Sequence, residues 1–72
     1  MQKLKQAIAK RMRIARFVLE LSQMDLAKKA KVSQSTIAQI ESGRKLPSLT
    51  TLFKIAKVLK CDVSELVRNY NE

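Results

Sequence analysis

Apolar residues recur along this chain at spacings of three and four, the spacing that places side chains on one face of an α-helix. Two such rows lie in the C-terminal third. Their members are Leu49, Leu52, Phe53, Ala56 and Leu59, with Ile55 flanking, and then Val63, Leu66, Val67 and Tyr70. No stretch alternates between apolar and polar residues over a useful length, which is the pattern of a half-buried strand. The pattern therefore predicts an all-α fold.

Side chains that cap helix N-termini mark where these helices begin. Ser22, Ser33, Ser48 and Asp62 each precede a helical pattern. Asp25 and Glu65 lie three residues after the first and the last of these, which is the spacing of a capping box. The sequence predicts five helices, at about residues 3–20, 23–30, 34–42, 49–59 and 63–70. The only glycine, Gly43, follows the third helix, where a left-handed terminating residue is common.

The first predicted helix carries two apolar stripes. One consists of Leu4, Ile8, Met12, Ala15 and Leu19, and the other of Ile14, Phe17, Val18 and Leu21. A single core in a chain of this size does not need both stripes. We therefore expect self-association, either through Phe17 and Val18 or through the C-terminal helix near Val67 and Tyr70. The alternative is a core that is locally deeper.

Composition narrows the classes of function. The chain has 72 residues, enough for one small domain spanning 1–72. Fifteen Lys and Arg against six Asp and Glu give a net charge of +9, which favours a polyanionic partner, either nucleic acid or an anionic membrane surface. With no His, one Cys and no cluster of carboxylates, we expect neither an enzyme nor a metal or cofactor site. Cys61 is expected to be a small buried hydrophobe.

The third predicted helix is unusual for so basic a protein. Ile37 and Ile40 must face the core, which leaves neutral residues outward, namely Gln34, Ser35, Ala38 and Gln39. Residues 23–30, 31–33 and 34–42 read together as a helix-turn-helix, whose second helix lies in the DNA major groove. Amides, hydroxyls and a methyl group suit base edges there, while charge belongs beside the phosphates.

The order of these residues resembles a known family. The pattern is Arg16, Ser22-Gln23-x-x-Leu26-Ala27, Val32-Ser33-x-x-Thr36-Ile37-x-x-Ile40-Glu41-x-Gly43, Pro47-Ser48-x-x-Thr51-Leu52 and Leu59-x-x-x-Val63-x-x-Leu66. Residues 11–67 resemble the phage-repressor family of helix-turn-helix DNA-binding domains, typified by the lambda and 434 repressors and Cro. Three residues depart from it, because Glu20, Lys31 and Lys60 stand where the family usually has glycine.

The resemblance implies a role for each matching residue. Gln23 would contact a phosphate and brace the recognition helix. Base contacts would come from Gln34 and Ser35, with Ala38 and Gln39 in the next groove-facing row. Backbone contacts would come from Ser33, Thr36, Ser42, Arg44 and Lys45. Arg16 and Glu41 would form a structural ion pair; the alternative is two unrelated surface charges. Whether Lys10, Arg11 and Arg13 contact DNA or form a solvated face stays open.

The sequence thus predicts a compact five-helix, lambda-repressor-like domain with its helix-turn-helix at helices 2 and 3. We expect a cytoplasmic, sequence-specific regulator of transcription, a repressor that binds double-stranded DNA as a homodimer on a palindromic site, without a small-molecule ligand. The main alternative is a protein-interaction module on the same scaffold, such as an antitoxin or a coactivator-like adaptor. RNA binding is disfavoured because no aromatic platform is evident. We expect no membrane partner, and membrane-surface binding through helix 1 is a further alternative.

Overall fold

The computed structural model describes residues 2–68, which form five α-helices and no strand. They are α1 (Gln2–Val18), α2 (Gln23–Ala30), α3 (Gln34–Glu41), α4 (Leu49–Val58) and α5 (Val63–Val67). The all-α prediction is confirmed, and the predicted boundaries of α1 to α4 hold within two residues. The fifth helix was predicted to reach residue 70 but ends at Val67; Tyr70, one of the residues expected to support self-association, lies outside the described residues. None of the helices within residues 2–68 has the length and apolar character needed to span a membrane.

The predicted capping residues begin the helices. The Ser22 hydroxyl accepts a hydrogen bond from the Asp25 N–H at 3.0 Å, and the Asp25 carboxylate accepts one from the Ser22 N–H at 3.0 Å. Ser33 and Ser48 accept from the N–H groups of Thr36 and Thr51. Each bond satisfies a donor that the first helical turn leaves unpaired.

Four helices end in the same backbone motif. The residues after α1, α2, α3 and α4 that adopt the left-handed conformation are Glu20, Lys31, Gly43 and Lys60, with φ between 58° and 79°. In each case the next N–H bonds back to a carbonyl five residues earlier, as in Leu21 to Arg16 and Val32 to Ala27. Three of the four are not glycine, and each of these strains the backbone by about 1–2 kcal/mol. Glu20, Lys31 and Lys60, which stand where the family usually has glycine, therefore make these turns less stable but leave the turn geometry unchanged.

One hydrophobic core joins all five helices. Its fully buried side chains are Ile8, Met12, Leu26, Ile37, Ile40, Ile55 and Leu66. Helix α3 packs on α1 and α2, while α4 packs on α2 and α5. This arrangement holds α3 by one face and leaves its opposite face open to solvent.

Two expectations about helix faces are corrected. Leu49 and Phe53 were placed on the core face of α4 but are exposed, whereas Ile55, placed at the flank, is fully buried. The core face is Leu52, Ile55, Ala56 and Leu59, since that is the face α4 turns toward α2 and α5.

On α1, the stripe through Ile8 and Met12 faces the core. In the other stripe Leu21 is partly buried against the core, whereas Ile14 is exposed, and Phe17 and Val18 are 68% and 74% exposed. The locally deeper core is therefore wrong for Ile14, Phe17 and Val18, and the expected exposed apolar surface is present.

Candidate nucleic-acid interface

Helix α3 presents a neutral polar face to solvent. Ile37 and Ile40 are fully buried and anchor α3 to α1 and α2. On the other side Gln34 and Ser35 are exposed, and Ala38 and Gln39 are partly exposed. No acidic residue lies in the first turn and no basic residue in the last. The four residues predicted to face the major groove therefore share one surface, which carries amides, a hydroxyl and a methyl group.

The side chains at the start of α3 are held by local hydrogen bonds. The Ser33 hydroxyl accepts from the Thr36 N–H at 3.0 Å and lies 2.8 Å from the Thr36 hydroxyl. One turn further on, the Gln39 side-chain amide donates to the Ser35 hydroxyl at 3.2 Å. Gln39 and Ser35 are four residues apart and thus neighbours on the helix surface. The bond fixes the Gln39 amide in the row that faces outward.

The chain after α3 folds back against its last turn. The N–H groups of Arg44 and Lys45 both donate to the Gln39 carbonyl, at 3.1 and 3.2 Å. The Ser42 hydroxyl donates to the same carbonyl at 2.9 Å and accepts from Arg44 Nε at 3.0 Å. Arg44 and Lys45 are exposed, so two cations lie directly beside the end of the neutral face. Neutral groups at the centre with cations at the edge match a duplex, whose base edges lie between its phosphates.

A buried ion pair fixes α3 relative to α1. Arg16 donates to both carboxylate oxygens of Glu41, at 2.8 Å from Nε and 3.0 Å from Nη2. A third donor of Arg16 reaches the Leu21 carbonyl at 2.9 Å, and the Gln23 amide donates to Glu41 Oε1 at 3.2 Å. Both charged residues are buried. The predicted pair is confirmed, and the alternative of unrelated surface charges is wrong.

Gln23 connects this network to the surface. It opens α2 and is partly exposed, and its amide bonds to the residue that ends α3. The predicted brace between Gln23 and the recognition helix is therefore present, and it acts through Glu41. A contact between Gln23 and a phosphate is a separate matter that remains a proposal.

The sequence did not reveal what two of the N-terminal arginines do. Arg13 Nη1 donates to the Glu41 carbonyl, at the C-terminal end of α3, and Arg11 Nη1 donates to the Leu66 carbonyl at 3.2 Å. A positive charge is stabilised at the C-terminal, partially negative end of a helix dipole, so Arg13 adds a second stabilising contact between α1 and α3. These contacts join residues 28 and 55 positions apart, and no local pattern announces them. Lys10, the third member of this cluster, is exposed.

Cys61, expected to be a buried hydrophobe, is only partly buried. No group of three or more His, Cys, Asp or Glu side chains that can hold a metal ion lies within residues 2–68. Burial, followed by the nearby Glu65 and Asp62 carboxylates, raises the pKa of the Cys61 thiol. The thiol is therefore neutral near pH 7, and a neutral thiol is a poor nucleophile.

Comparisons with known proteins agree with this geometry. A family profile described as Helix-turn-helix (HTH_3) matches residues 19–66. An uncharacterized HTH-type transcriptional regulator of Methanocaldococcus jannaschii is 48% identical over 46 residues, which cover 64% of this chain and 70% of that protein. The immunity repressor of Bacillus phage phi105 is 40% identical over 60 residues, which cover 83% of this chain but only 42% of the repressor.

A solved structure is similar over most of both chains. It is the restriction-modification controller protein C.AhdI from Aeromonas hydrophila, with a TM-score of 0.82 at 29% sequence identity. The superposition covers 86% of this chain and 94% of the controller protein. The similarity thus extends beyond the helix-turn-helix to the whole arrangement of helices.

Proposed function

We propose that this chain is a sequence-specific repressor that binds a palindromic site as a homodimer. It belongs to the helix-turn-helix family of DNA-binding transcriptional regulators, which are not enzymes. The observation that carries this proposal is the neutral face of α3. Gln34 and Ser35 are exposed at its start, and Gln39 is held in the next row by its bond to Ser35.

Base recognition follows from the chemistry of that face. A Gln amide can pair with adenine through two hydrogen bonds, a Ser hydroxyl can donate or accept, and the Ala38 methyl group can contact the methyl group of thymine. We assign Gln34 and Ser35 to the leading base contacts and Ala38 and Gln39 to the next row.

Affinity comes from the phosphate backbone, which carries no direct sequence information. We assign backbone contacts to Arg44 and Lys45, which are exposed beside α3, and to the hydroxyl residues Ser33, Thr36 and Ser42. Gln23 is the contact from α2, since its side chain is partly exposed at the start of that helix. The net charge of +9 steers the whole protein toward DNA.

Two exposed apolar surfaces are candidates for the dimer contact. The first is the α1 patch, formed by Ile14, Phe17 and Val18, and the second is the α4 patch, formed by Leu49 and Phe53. Val67 is half-buried and offers less surface. In a two-fold dimer the two α3 helices would enter half-sites about 34 Å apart, one turn of the duplex.

Repression would operate through occupancy of the site by a single domain spanning 1–72, acting in the cytoplasm. The similarity to a phage immunity repressor supports repression over activation. The matched region is less than half of that repressor, so the similarity supports DNA binding and repression alone.

The competing function is a protein-interaction module on the same scaffold, and the exposed α1 patch is the observation that favours it. The two functions are separated by selection from a random duplex pool at about 150 mM salt, where binding through phosphates alone is weak. Enrichment of a two-fold-symmetric sequence supports the proposed repressor. Retention of duplexes without enrichment indicates a non-specific DNA binder, and no retention favours the interaction module.

A further inference from the structure

A second basic surface lies where α2 and α4 end, on residues that the DNA interface does not use. It is a groove of two lobes, one of about 490 Å³ and one of about 170 Å³, which share Lys29 and Val58. We propose that this lysine-rimmed groove binds an acidic segment of a partner protein that carries aliphatic side chains between its carboxylates.

The rim of the groove carries five lysines. They are Lys29, Lys31, Lys54, Lys57 and Lys60. No acidic residue lines either lobe. The one salt bridge within residues 2–68 joins Arg16 and Glu41, so none of these lysines forms a salt bridge with a carboxylate from that part of the chain. Asp25 acts on Lys29 only through a longer-range attraction. Asp62 and Glu65 line the adjoining depression together with Lys57 and Lys60, but neither acid forms a salt bridge with these lysines. The groove is therefore complementary to an anionic partner.

The floor of the groove is apolar. Ala30 and Val58 line the larger lobe, and Leu19, Leu21 and Val58 line the smaller one. Leu19, Leu21 and Val58 are only partly buried, so solvent still reaches aliphatic surface between the lysines. A partner that covers this surface gains from apolar burial as well as from charge.

The apolar floor of the groove favours a peptide over a nucleic acid as its ligand. A phosphate backbone offers anionic charge but no aliphatic groups to cover the leucines and the valine. The groove also contains no arginine, whose planar guanidinium suits phosphate. Spaced carboxylates can reach the flexible lysine ammonium groups while aliphatic side chains fill the floor.

Helix stabilisation alone does not account for this set of lysines. A positive charge in the last turn of a helix interacts favourably with the helix dipole, and this explains Lys29 on α2 and Lys57 on α4. Lys54 lies in the middle of α4. Lys31 and Lys60 adopt left-handed conformations with φ of 60°, which glycine would adopt without strain. Dipole stabilisation thus does not explain Lys54, nor why lysine instead of glycine occupies the two strained positions just past the helix ends.

The test uses a displayed library of random 16-residue peptides, selected on the full chain and then measured individually by fluorescence polarisation. We expect enrichment of sequences that combine Asp or Glu with Leu, Ile or Val. The variant Lys54→Glu with Lys57→Glu should raise their Kd about tenfold or more, because two attractive contacts become repulsive. The matched control, Lys3→Glu with Lys10→Glu, changes the net charge equally on α1 and should change the Kd less than about twofold.

A milder variant, Lys54→Gln with Lys57→Gln, removes charge without reversing it and guards against a folding defect, which circular dichroism monitors. It should weaken binding by a smaller factor in the same direction. The proposal is overturned if no acidic sequence is enriched, or if the control weakens binding as much as the groove variant. It is also overturned if peptides stripped of aliphatic residues, or inorganic tripolyphosphate, bind as well, because the groove is then a simple polyanion site.

Discussion

Arg16 on α1 and Glu41 at the end of α3 form a buried ion pair with two hydrogen bonds, of 2.8 and 3.0 Å. The pair fixes the orientation of the helix that carries the candidate base-reading residues. Gln23 bonds to the same carboxylate and Arg13 to the Glu41 carbonyl, so α1, α2 and α3 meet at one residue. The position of α3 is therefore set by polar contacts at its C-terminal end and by Ile37 and Ile40 beneath it.

Breaking this pair should destabilise the protein strongly. Glu41→Gln leaves the Arg16 charge buried without a counter-charge and is expected to lower the free energy of unfolding by about 3–5 kcal/mol, measured by urea denaturation. The double variant Arg16→Met with Glu41→Leu removes both charges and should recover most of the loss. The control Glu65→Gln alters an exposed acid but keeps a side-chain oxygen that can accept from the Asp62 N–H at the start of α5, so it should cost less than about 1 kcal/mol. A Glu41→Gln loss as small as that of the control would mean that the pair contributes little.

Two strained turns should gain stability from glycine. Lys31→Gly and Lys60→Gly relieve a left-handed conformation, and after the entropy that glycine adds to the unfolded chain each should stabilise by about 0.5–1 kcal/mol. The matched control is Lys28→Gly inside α2, which should instead destabilise by about 1 kcal/mol. Thermal unfolding measures all three. If the turn variants destabilise as the control does, these lysines make stabilising contacts that outweigh the strain.

The capping box of α2 predicts a pH effect. The hydrogen bond from the Ser22 backbone N–H, followed by that from its side chain, lowers the pKa of Asp25 below its usual 3.8. A carboxyl whose pKa is lower in the folded state stabilises the fold above its unfolded pKa, and this contribution is lost as the pH falls through the folded value. Asp25→Asn should therefore flatten the loss of stability below pH 3.8, measured by thermal unfolding. An NMR titration giving Asp25 an ordinary pKa would contradict the geometry.

Self-association should be detectable and should depend on one apolar patch. Analytical ultracentrifugation at tens of micromolar is expected to show a dimer. Phe17→Ser in the α1 patch and Phe53→Ser in the α4 patch serve as controls for each other, since both side chains are exposed and neither change should unfold the protein. Whichever of the two substitutions lies in the dimer contact should raise the dissociation constant of the dimer about tenfold or more, because it removes buried contact area. A monomer at these concentrations, or a dimer insensitive to both changes, would contradict the proposed interface.

Local signals predicted the helices well because they depend on neighbouring residues alone. Ser22, Ser33 and Ser48 cap the helices they were predicted to cap, since the acceptor and the N–H lie three residues apart. The inner face of α4 was less predictable. Leu49 and Phe53 satisfy helical spacing as well as Ile55 does, and only the positions of α2 and α5 decide which side is buried.

Long-range polar contacts could not be predicted from local sequence patterns, for a similar reason. Arg13 looks like any other cation in a basic run until α1 and the end of α3 approach each other. The Arg16–Glu41 pair was predictable only through the family resemblance, since nothing local connects residues 25 positions apart. The groove between α2 and α4 joins residues from both halves of the chain, and it became visible only once these helices were placed side by side.

The most direct test of the central claim, that the outer face of α3 reads bases, compares Gln34→Ala with Lys45→Ala on the duplex recovered by selection. Affinities are measured for that duplex and for each single base-pair change, at several salt concentrations. Gln34→Ala should lose about 1–3 kcal/mol of discrimination at one position in each half-site. Lys45→Ala should weaken all duplexes about equally and reduce the salt slope by about one. If Gln34→Ala instead weakens every duplex equally and leaves discrimination intact, α3 does not read the sequence.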